Sequence, residues 1–432
     1  MSDVNRARAQ RLLGAQQLDA VLVSKPESFT WATGAPAGVA AFFRRAGAAM
    51  ALIPTAASAP LAAVCTELFA APARAALGPA QVHTHPDWVE TADIRPWLDT
   101  DLGAAELAER AFAKAARPAG FERPAAFDAR QAFLALGDLL KARGLSQARI
   151  GLDLDFWPVA DFELLKAVLP RVQWRDASQV LGQIKALKSP AEIARLTQAA
   201  LIAEAGIHHA LEAVHEGIHR DAIAAAWRAG VALETKRLGV TLSGQWEYTT
   251  VGPLPWAGGA CLQRGDVLKF DVGCVVQGYS SDSGRTYALG PARPRTREIM
   301  AALSDAFSAG LEVLKPGHLM REVHAGATRA MQRAGFNRFS RGHFGHSLGH
   351  DTFCEVPPFL SSQADEPLEA GMVLAFETPF YVDGEGGVHH RRPVPDHRTG
   401  RPSCLVAAAR TGLPAPVTNP AMSASAQASS KR

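Results

Sequence analysis

Two acidic residues constrain this chain more than anything else in it. Phe270-Asp271-Val272-Gly273 closes one strand-like run, Gly278-Tyr279 follows, and Ser281-Asp282-Ser283-Gly284-Arg285-Thr286 opens the next. Runs of this length fit an antiparallel hairpin, which can bring both carboxylates to one face and one point. Two aspartates that close repel unless a proton or a cation lies between them. Carboxylate pairs of this kind suit a hard divalent cation. Taken singly, one aspartate reads equally well as a turn residue and the other as a partner for Arg285; only the joint pattern points to a metal. Two further ligand-type residues follow at long intervals. They are His346, in Gly345-His346-Ser347-Leu348-Gly349, and Glu377, closing the apolar run Met372-Val373-Leu374-Ala375-Phe376. A glutamate ending a buried strand is costly unless it is paired or bound to a metal.

A length of 432 residues is too great for one ordinary core, so two domains are expected. The 47% hydrophobic and 20% charged content is that of a soluble globular chain. A net charge of +3, without a long Lys/Arg run, gives no argument for a nucleic-acid partner. The five cysteines, Cys65, Cys261, Cys274, Cys354 and Cys404, are odd in number and scattered, which favours free thiols in a reducing compartment. No apolar run is long enough to cross a membrane, and the start lacks a signal-type core. The expectation is a cytoplasmic protein with no membrane partner.

Along the chain, residues 8–18 read as an amphipathic helix, residues 19–24 as a buried strand and residues 26–31 as a turn and helix start. Apolar runs at 48–53 and 61–65, a helical period at 127–142 and a strand at 149–153 complete an alternation that predicts an α/β N-terminal domain. Ser189-Pro190-Ala191-Glu192 has the pattern of a capping box, so a helix is predicted from about residue 191 to 214, with a second at about 220–235. Strands at 267–270 and 280–289 and a helix at 294–314 follow. The domain reading is residues 1–178, then 179–392, then an acid-poor tail, 393–432, rich in Ala, Pro and Ser and predicted to be disordered.

The order, spacing and flanking glycines of Asp271, Asp282, His346 and Glu377 resemble those of the prolidase, aminopeptidase P, methionine aminopeptidase and creatinase family, the pita-bread fold. The segment 18–28 is similar to the start of that family's creatinase-type N-terminal domain, and Lys188-Ser189-Pro190 to the start of its catalytic domain. The resemblance implies an α+β architecture. It implies a metal site in which the first aspartate binds one ion, the second bridges two, and Glu377 is both ligand and acceptor of a proton from the attacking water. The implied cofactor is a divalent metal, two ions of Mn, Co or Zn. The implied substrate is a small peptide, of Xaa-Pro type, and a homodimer is implied by analogy with the larger members.

The chain also departs from the pattern. The family places a second histidine seven residues after the first; here that position is Phe353, with Cys354 beside it, and His350 is the candidate substrate-binding substitute. Residues 251–264 lack the family's other active-site histidine, and Trp256 is the candidate wall of that pocket. Where a Gly-Gly-Val-Arg-Ile-Glu-Asp string would supply a fifth ligand, this chain has Gly386-Gly387-Val388-His389-His390-Arg391-Arg392. A guanidinium cannot ligate a cation. The codons for His390-Arg391-Arg392, read one base later, can encode Ile-Glu-Asp, so a frameshift competes with genuine divergence. The expectation is a metallopeptidase whose activity is in doubt and which holds one metal or none. The alternatives are a catalytically dead member that binds peptides or acts as a scaffold, and a metal-free amidinohydrolase of creatinase type.

Overall fold

The computed structural model describes residues 2–118, 120–256 and 260–390. Arg391, Arg392, Cys404 and the whole predicted tail lie outside the described residues. The chain divides into two compact units between Lys185 and Ala186.

The first unit is built on a six-stranded mixed sheet. Its strands are β1 (Ala20–Val23), β2 (Met50–Pro54), β3 (Ala62–Thr66), β4 (Val82–His85), β5 (Arg149–Leu152) and β6 (Gln173–Asp176), in the order β4-β3-β2-β1-β5-β6. β1, β2 and β3 pair antiparallel, while β4, β5 and β6 join in parallel. β1, β2 and β3 are buried along their whole length, which is why they read as unbroken apolar runs. Val21 and Val23 pack on one core, with the helices Arg6–Ala15 and Pro26–Thr33; Ala20 and Leu22 pack on a second, with the helix Ala129–Ala142.

Asp153, just after β5, is buried and caps the Pro26–Thr33 helix. It accepts hydrogen bonds from the backbone N–H groups of Ser24 and Lys25, both at 2.8 Å, and from Trp157 Nε1 at 3.1 Å. Burial pushes its carboxyl up to about 6, against these three donors. A carboxyl raised on folding holds its proton longer in the native state, so its contribution is full below the unfolded value near 3.8 and is lost as pH rises through about 6. The loss is on the order of 3 kcal/mol. Urea unfolding of parent and Asp153→Asn should therefore show the variant gaining on the parent between pH 4 and pH 6. A difference independent of pH would exclude this account.

The second unit opens where the capping box predicts. Ser189 Oγ accepts from Glu192 N–H at 3.3 Å, and Glu192 Oε2 accepts from Ser189 N–H at 2.7 Å. The helix so started runs Pro190–Glu212 and packs beside Arg220–Leu238. Two glycines set that approach: a Cβ on Gly230 would stand 2.5 Å from His209 Cβ, and one on Gly206 would stand 2.8 Å from Trp227. These helices cover a sheet centred on β9 (Val267–Val276), flanked by β7 (Gly244–Glu247), β8 (Thr250–Val251), β10 (Tyr279–Ser280) and β11 (Ser283–Ala288). Phe270, Val272, Cys274 and Val276 turn to the helices and form their core. Strand alternation puts Lys269, Asp271 and Gly273 on the opposite face.

A second sheet holds β12 (His343–Ser347) between β13 (Val356–Ser361) and β14 (Leu374–Phe376). β15 (Thr378–Val382) pairs with β16 (Gly386–His390). The helices Pro294–Val313 and Met320–Arg333 pack against this part through Phe307, Met331 and Phe376. Antiparallel sheets packed against helix pairs, preceded in sequence by an α/β unit, make the α+β architecture that the resemblance implies.

Candidate metal centre

β9 runs through Asp271 instead of ending before it, because Gly273 lets two neighbours close in. A Cβ on Gly273 would stand 2.3 Å from the Ser281 carbonyl oxygen and 2.5 Å from Trp246 of β7. In the β9–β11 register Gly284 stands opposite Asp271 and Ser283 opposite Val272. Asp282, two residues before Gly284, comes to the Asp271 face by alternation, diagonally across the ladder. Arg285 turns the other way, to Glu204 of the Pro190–Glu212 helix at 2.9 Å, and both groups are largely buried. The motif's arginine thus fixes the hairpin to its helix and leaves the aspartates on the other side.

His346 sits in β12 opposite Ala375 of β14, and the Glu377 N–H donates to the Phe344 carbonyl at 2.9 Å. Glu377 follows Ala375 by two residues and lies in the gap between β14 and β15, so it shares the His346 face. Gly345, at φ 150°, makes the pairing close enough: a Cβ there would stand 2.0 Å from the Ala375 carbonyl oxygen. The two sheets meet at these residues. His346 Nε2 is 3.1 Å from Asp282 Oδ2, and both side chains are buried. The Ser280 N–H donates to the Gly349 carbonyl at 3.3 Å, and Tyr279 pairs with His350.

The donor set fits a divalent cation in kind. His346 Nδ1 lies 3.1 Å from the Ser347 carbonyl oxygen, which fixes Nδ1 as the protonated nitrogen. Nε2 then directs either a lone pair or a second proton at Asp282 Oδ2. Two acceptors at that distance require a proton or a cation between them. The side chains as they stand are also engaged elsewhere. Asp271 Oδ2 is 3.3 Å from the ammonium of Lys269, and Glu377 Oε1 is paired with Arg341 NH2. Among the described residues, no group of three or more His, Cys, Asp or Glu side chains is gathered closely enough to hold an ion as it stands.

Several neighbours carry no motif and escape a sequence reading. Lys269 is fully buried, with its ammonium 4.7 Å from the ring centroid of Tyr248 and 5.3 Å from that of Tyr381. Trp256, read as a candidate wall, packs on Tyr381 at 4.2 Å between ring centroids, and Tyr248 lies 6.2 Å from it. Lys188, also buried, donates to Ser347 Oγ at 3.0 Å, beside His346. His343 Nε2 stands 3.5 Å from Glu355 Oε2. That bond holds the Glu355 carboxyl below its usual range, with His346 helping and burial and Glu377 opposing.

His350, the candidate substrate-binding residue, sets its ring edge-on to Tyr279, with centroids 5.1 Å apart, above Gly278. Tyr279 OH in turn donates to Glu192 Oε1 at 3.0 Å. Phe353 is exposed and Cys354 is buried. Glu385 accepts from Thr296 Oγ1 at 2.7 Å, at the start of the Pro294–Val313 helix. β16 ends with His390 opposite Thr378; Arg391, where the sequence reading expects a fifth ligand to be missing, is the next residue and lies outside the described ones.

Comparison with known proteins agrees with the fold. Residues 194–394 match Metallopeptidase family M24, and residues 6–186 match the Creatinase/Prolidase N-terminal domain. A putative dipeptidase, YkvY, of Bacillus subtilis is 30% identical over 256 residues, covering 58% of this chain and 68% of the relative. An Xaa-Pro dipeptidase of Lactobacillus helveticus is 26% identical over 260 residues, covering 59% of this chain and 69% of the relative. Among solved structures, an Xaa-Pro dipeptidase from Bacillus anthracis superposes with a TM-score of 0.66 at 18% identity. That match covers 89% of this chain and 92% of the other, and it shows a common fold. Sequence and fold together make this chain a member of Metallopeptidase family M24, carrying a Creatinase/Prolidase N-terminal domain.

Proposed function

We propose that the chain is a metal-dependent exopeptidase-type hydrolase acting on short peptides at Xaa-Pro bonds, with Asp271, Asp282, His346 and Glu377 as the ligands of a divalent cation. The observation that carries this reading is the approach of His346 to Asp282 across 64 residues of sequence, at the meeting of two sheets. The names of the relatives support the substrate class. A divalent ion held there, Mn, Co or Zn, would polarise the scissile carbonyl and acidify the attacking water. The chain's own residues do the rest. Ser347 orients the imidazole, Asp282 and Asp271 supply negative charge from one face, and Glu377 takes a proton from water and returns it to the leaving amine. The Arg341 guanidinium orients that carboxylate from the other side, and Tyr248, Trp256 and Tyr381 provide an apolar wall beside Asp271.

The ion pairs of Lys269 with Asp271 and Arg341 with Glu377 favour a second reading, in which the chain keeps the fold and a weakened metal site and binds peptides with little turnover. Metal analysis separates the two. Protein loaded with Mn²⁺ and dialysed should retain about one ion per chain under the first reading, and His346→Ala should reduce that to background. Parent protein that retains none would decide for the second.

A further inference from the structure

We propose that the groove between residues 335–341 and the edge of β15 receives the part of a peptide that follows the cleaved Xaa-Pro bond, an extended segment with an aromatic side chain and a free C-terminal carboxylate. The inference rests on the hydrolase reading above for the bond that is cleaved, while the groove itself is tested by binding alone.

The groove encloses about 790 Å³, within the range of sites that bury a small ligand. One wall is the turn after the Met320–Arg333 helix, with Phe336, Arg338 and Phe339. The other is Pro379, Phe380 and Tyr381 of β15. Successive residues of a strand point to opposite faces, so three in a row line one groove only where it runs along the strand's edge. β16 pairs with one edge of β15, and among the described residues no strand pairs with the other. Pro379, which has no N–H, is a residue type that an edge tolerates. Such an edge is a template for an added strand, and extended peptides are bound there through their main chain.

The walls select the occupant. Phe336 and Phe339 set their rings edge-on to Phe380, with centroids 5.9 and 5.2 Å away. A cluster of this kind offers edges and faces to a further aromatic ring. Two of the lining residues are cationic, Arg338 and Arg341, and none is acidic. Arg338 is exposed and has no ion-pair partner among the described residues, so a carboxylate is the counter-charge it fits, in the fork geometry a guanidinium prefers. Arg341 connects the groove to the reaction. Its guanidinium lines the groove and also pairs with Glu377, the proposed proton donor to the leaving amine. The part of the peptide that carries that amine therefore lies on the Arg341 side of Glu377. The substrate so defined is longer than a dipeptide, and the residue after proline is recognised by its ring and its carboxylate together.

The test is calorimetric titration of the full chain in EDTA, where no metal-dependent turnover consumes the peptide. Ala-Pro-Phe should bind at least about tenfold more tightly than Ala-Pro-Gly or the Ala-Pro-Phe amide, the scale of one charge-assisted pair or one buried ring. Arg338→Gln should bind the acid and the amide equally. Ser340→Trp, which fills the groove from an exposed position, should bind Ala-Pro-Phe no better than Ala-Pro-Gly. Both variants replace exposed residues, and circular dichroism checks that they fold. Equal affinity of the parent for the three peptides, or none, in protein that retains Mn²⁺ and cleaves Ala-Pro, overturns the groove and leaves the hydrolase reading standing. The same result without Mn²⁺ retention or cleavage overturns both. The expected selectivity without Mn²⁺ retention or cleavage upholds the groove as a peptide site and overturns the hydrolase reading. Peptide selectivity that survives in Ser340→Trp, with a changed sedimentation coefficient, assigns the groove to a second copy of the chain and overturns the proposal.

Discussion

Replacing Asp271 with asparagine should cost the metal-free protein about 3 kcal/mol of stability, which is unusual for the loss of one charge on a strand. The reason is Lys269, whose fully buried ammonium is matched by the Asp271 carboxylate at 3.3 Å. Removing a partner from a buried pair destabilises more than the pair itself stabilises, because it leaves a charge out of water without its counter-charge. The tyrosine faces on either side offset only part of that, on the order of 1–2 kcal/mol at most. Removing both members should be cheaper than removing the aspartate alone, so Lys269→Met/Asp271→Asn should recover much of the loss. The measurement is urea unfolding in EDTA for the parent, both single variants and the double variant, read as a double-mutant cycle. Strictly additive effects would mean that the two groups do not form a working ion pair.

Much of the fold could be read from the sequence because its signals are local. Ser189 and Glu192 are three residues apart and cap their helix reciprocally, and the structure starts that helix there. The apolar runs of the N-terminal unit are legible because three adjacent strands are buried on both faces. Asp271 and Asp282 stand out because strand alternation and a short hairpin place them on one face whatever the rest of the chain does. The extent of β9 was less legible. A glycine after Asp271 looks like a strand end, and only the position of Trp246 shows that Gly273 is there to let another strand pass.

The cations of the site were not legible at all. A lysine in a strand reads as a solvated face, and the one clue to Lys269 is its parity with Asp271, two residues on. Arg341 meets Glu377 from 36 residues away, and Tyr248, between β7 and β8, and Tyr381 of β15 close on Lys269 from different segments. These are tertiary contacts without a motif, and no spacing encodes them. His350 is a mixed case. Its place four residues after His346 makes it a candidate, and its packing on Tyr279, whose hydroxyl is tied to the capping glutamate Glu192, is a tertiary contact that no spacing encodes.

Glu377→Gln should reduce turnover of an Xaa-Pro dipeptide by the Mn²⁺-supplied chain roughly 10²–10⁴-fold, the range expected when a positioned general base is removed. The substitution is close to isosteric. A glutamine can still present an oxygen to Arg341, which pairs with Glu377 Oε1 in the parent, so the ordering of β14 and β15 around this position should be preserved. What is lost is the ability to accept a proton from water and pass it to the departing amine. Glu377 is also a proposed ligand, so bound Mn²⁺ must be measured on the same samples, with turnover expressed per bound ion. A fall in turnover per bound ion identifies the proton-transfer role. A fall in ion content alone, with turnover per ion unchanged, would reduce Glu377 to a ligand and move the base elsewhere. Glu355 would be the first residue to test in that case, because it is the further carboxylate that His346 and Glu377 influence, and its pairing with His343 holds it ionised.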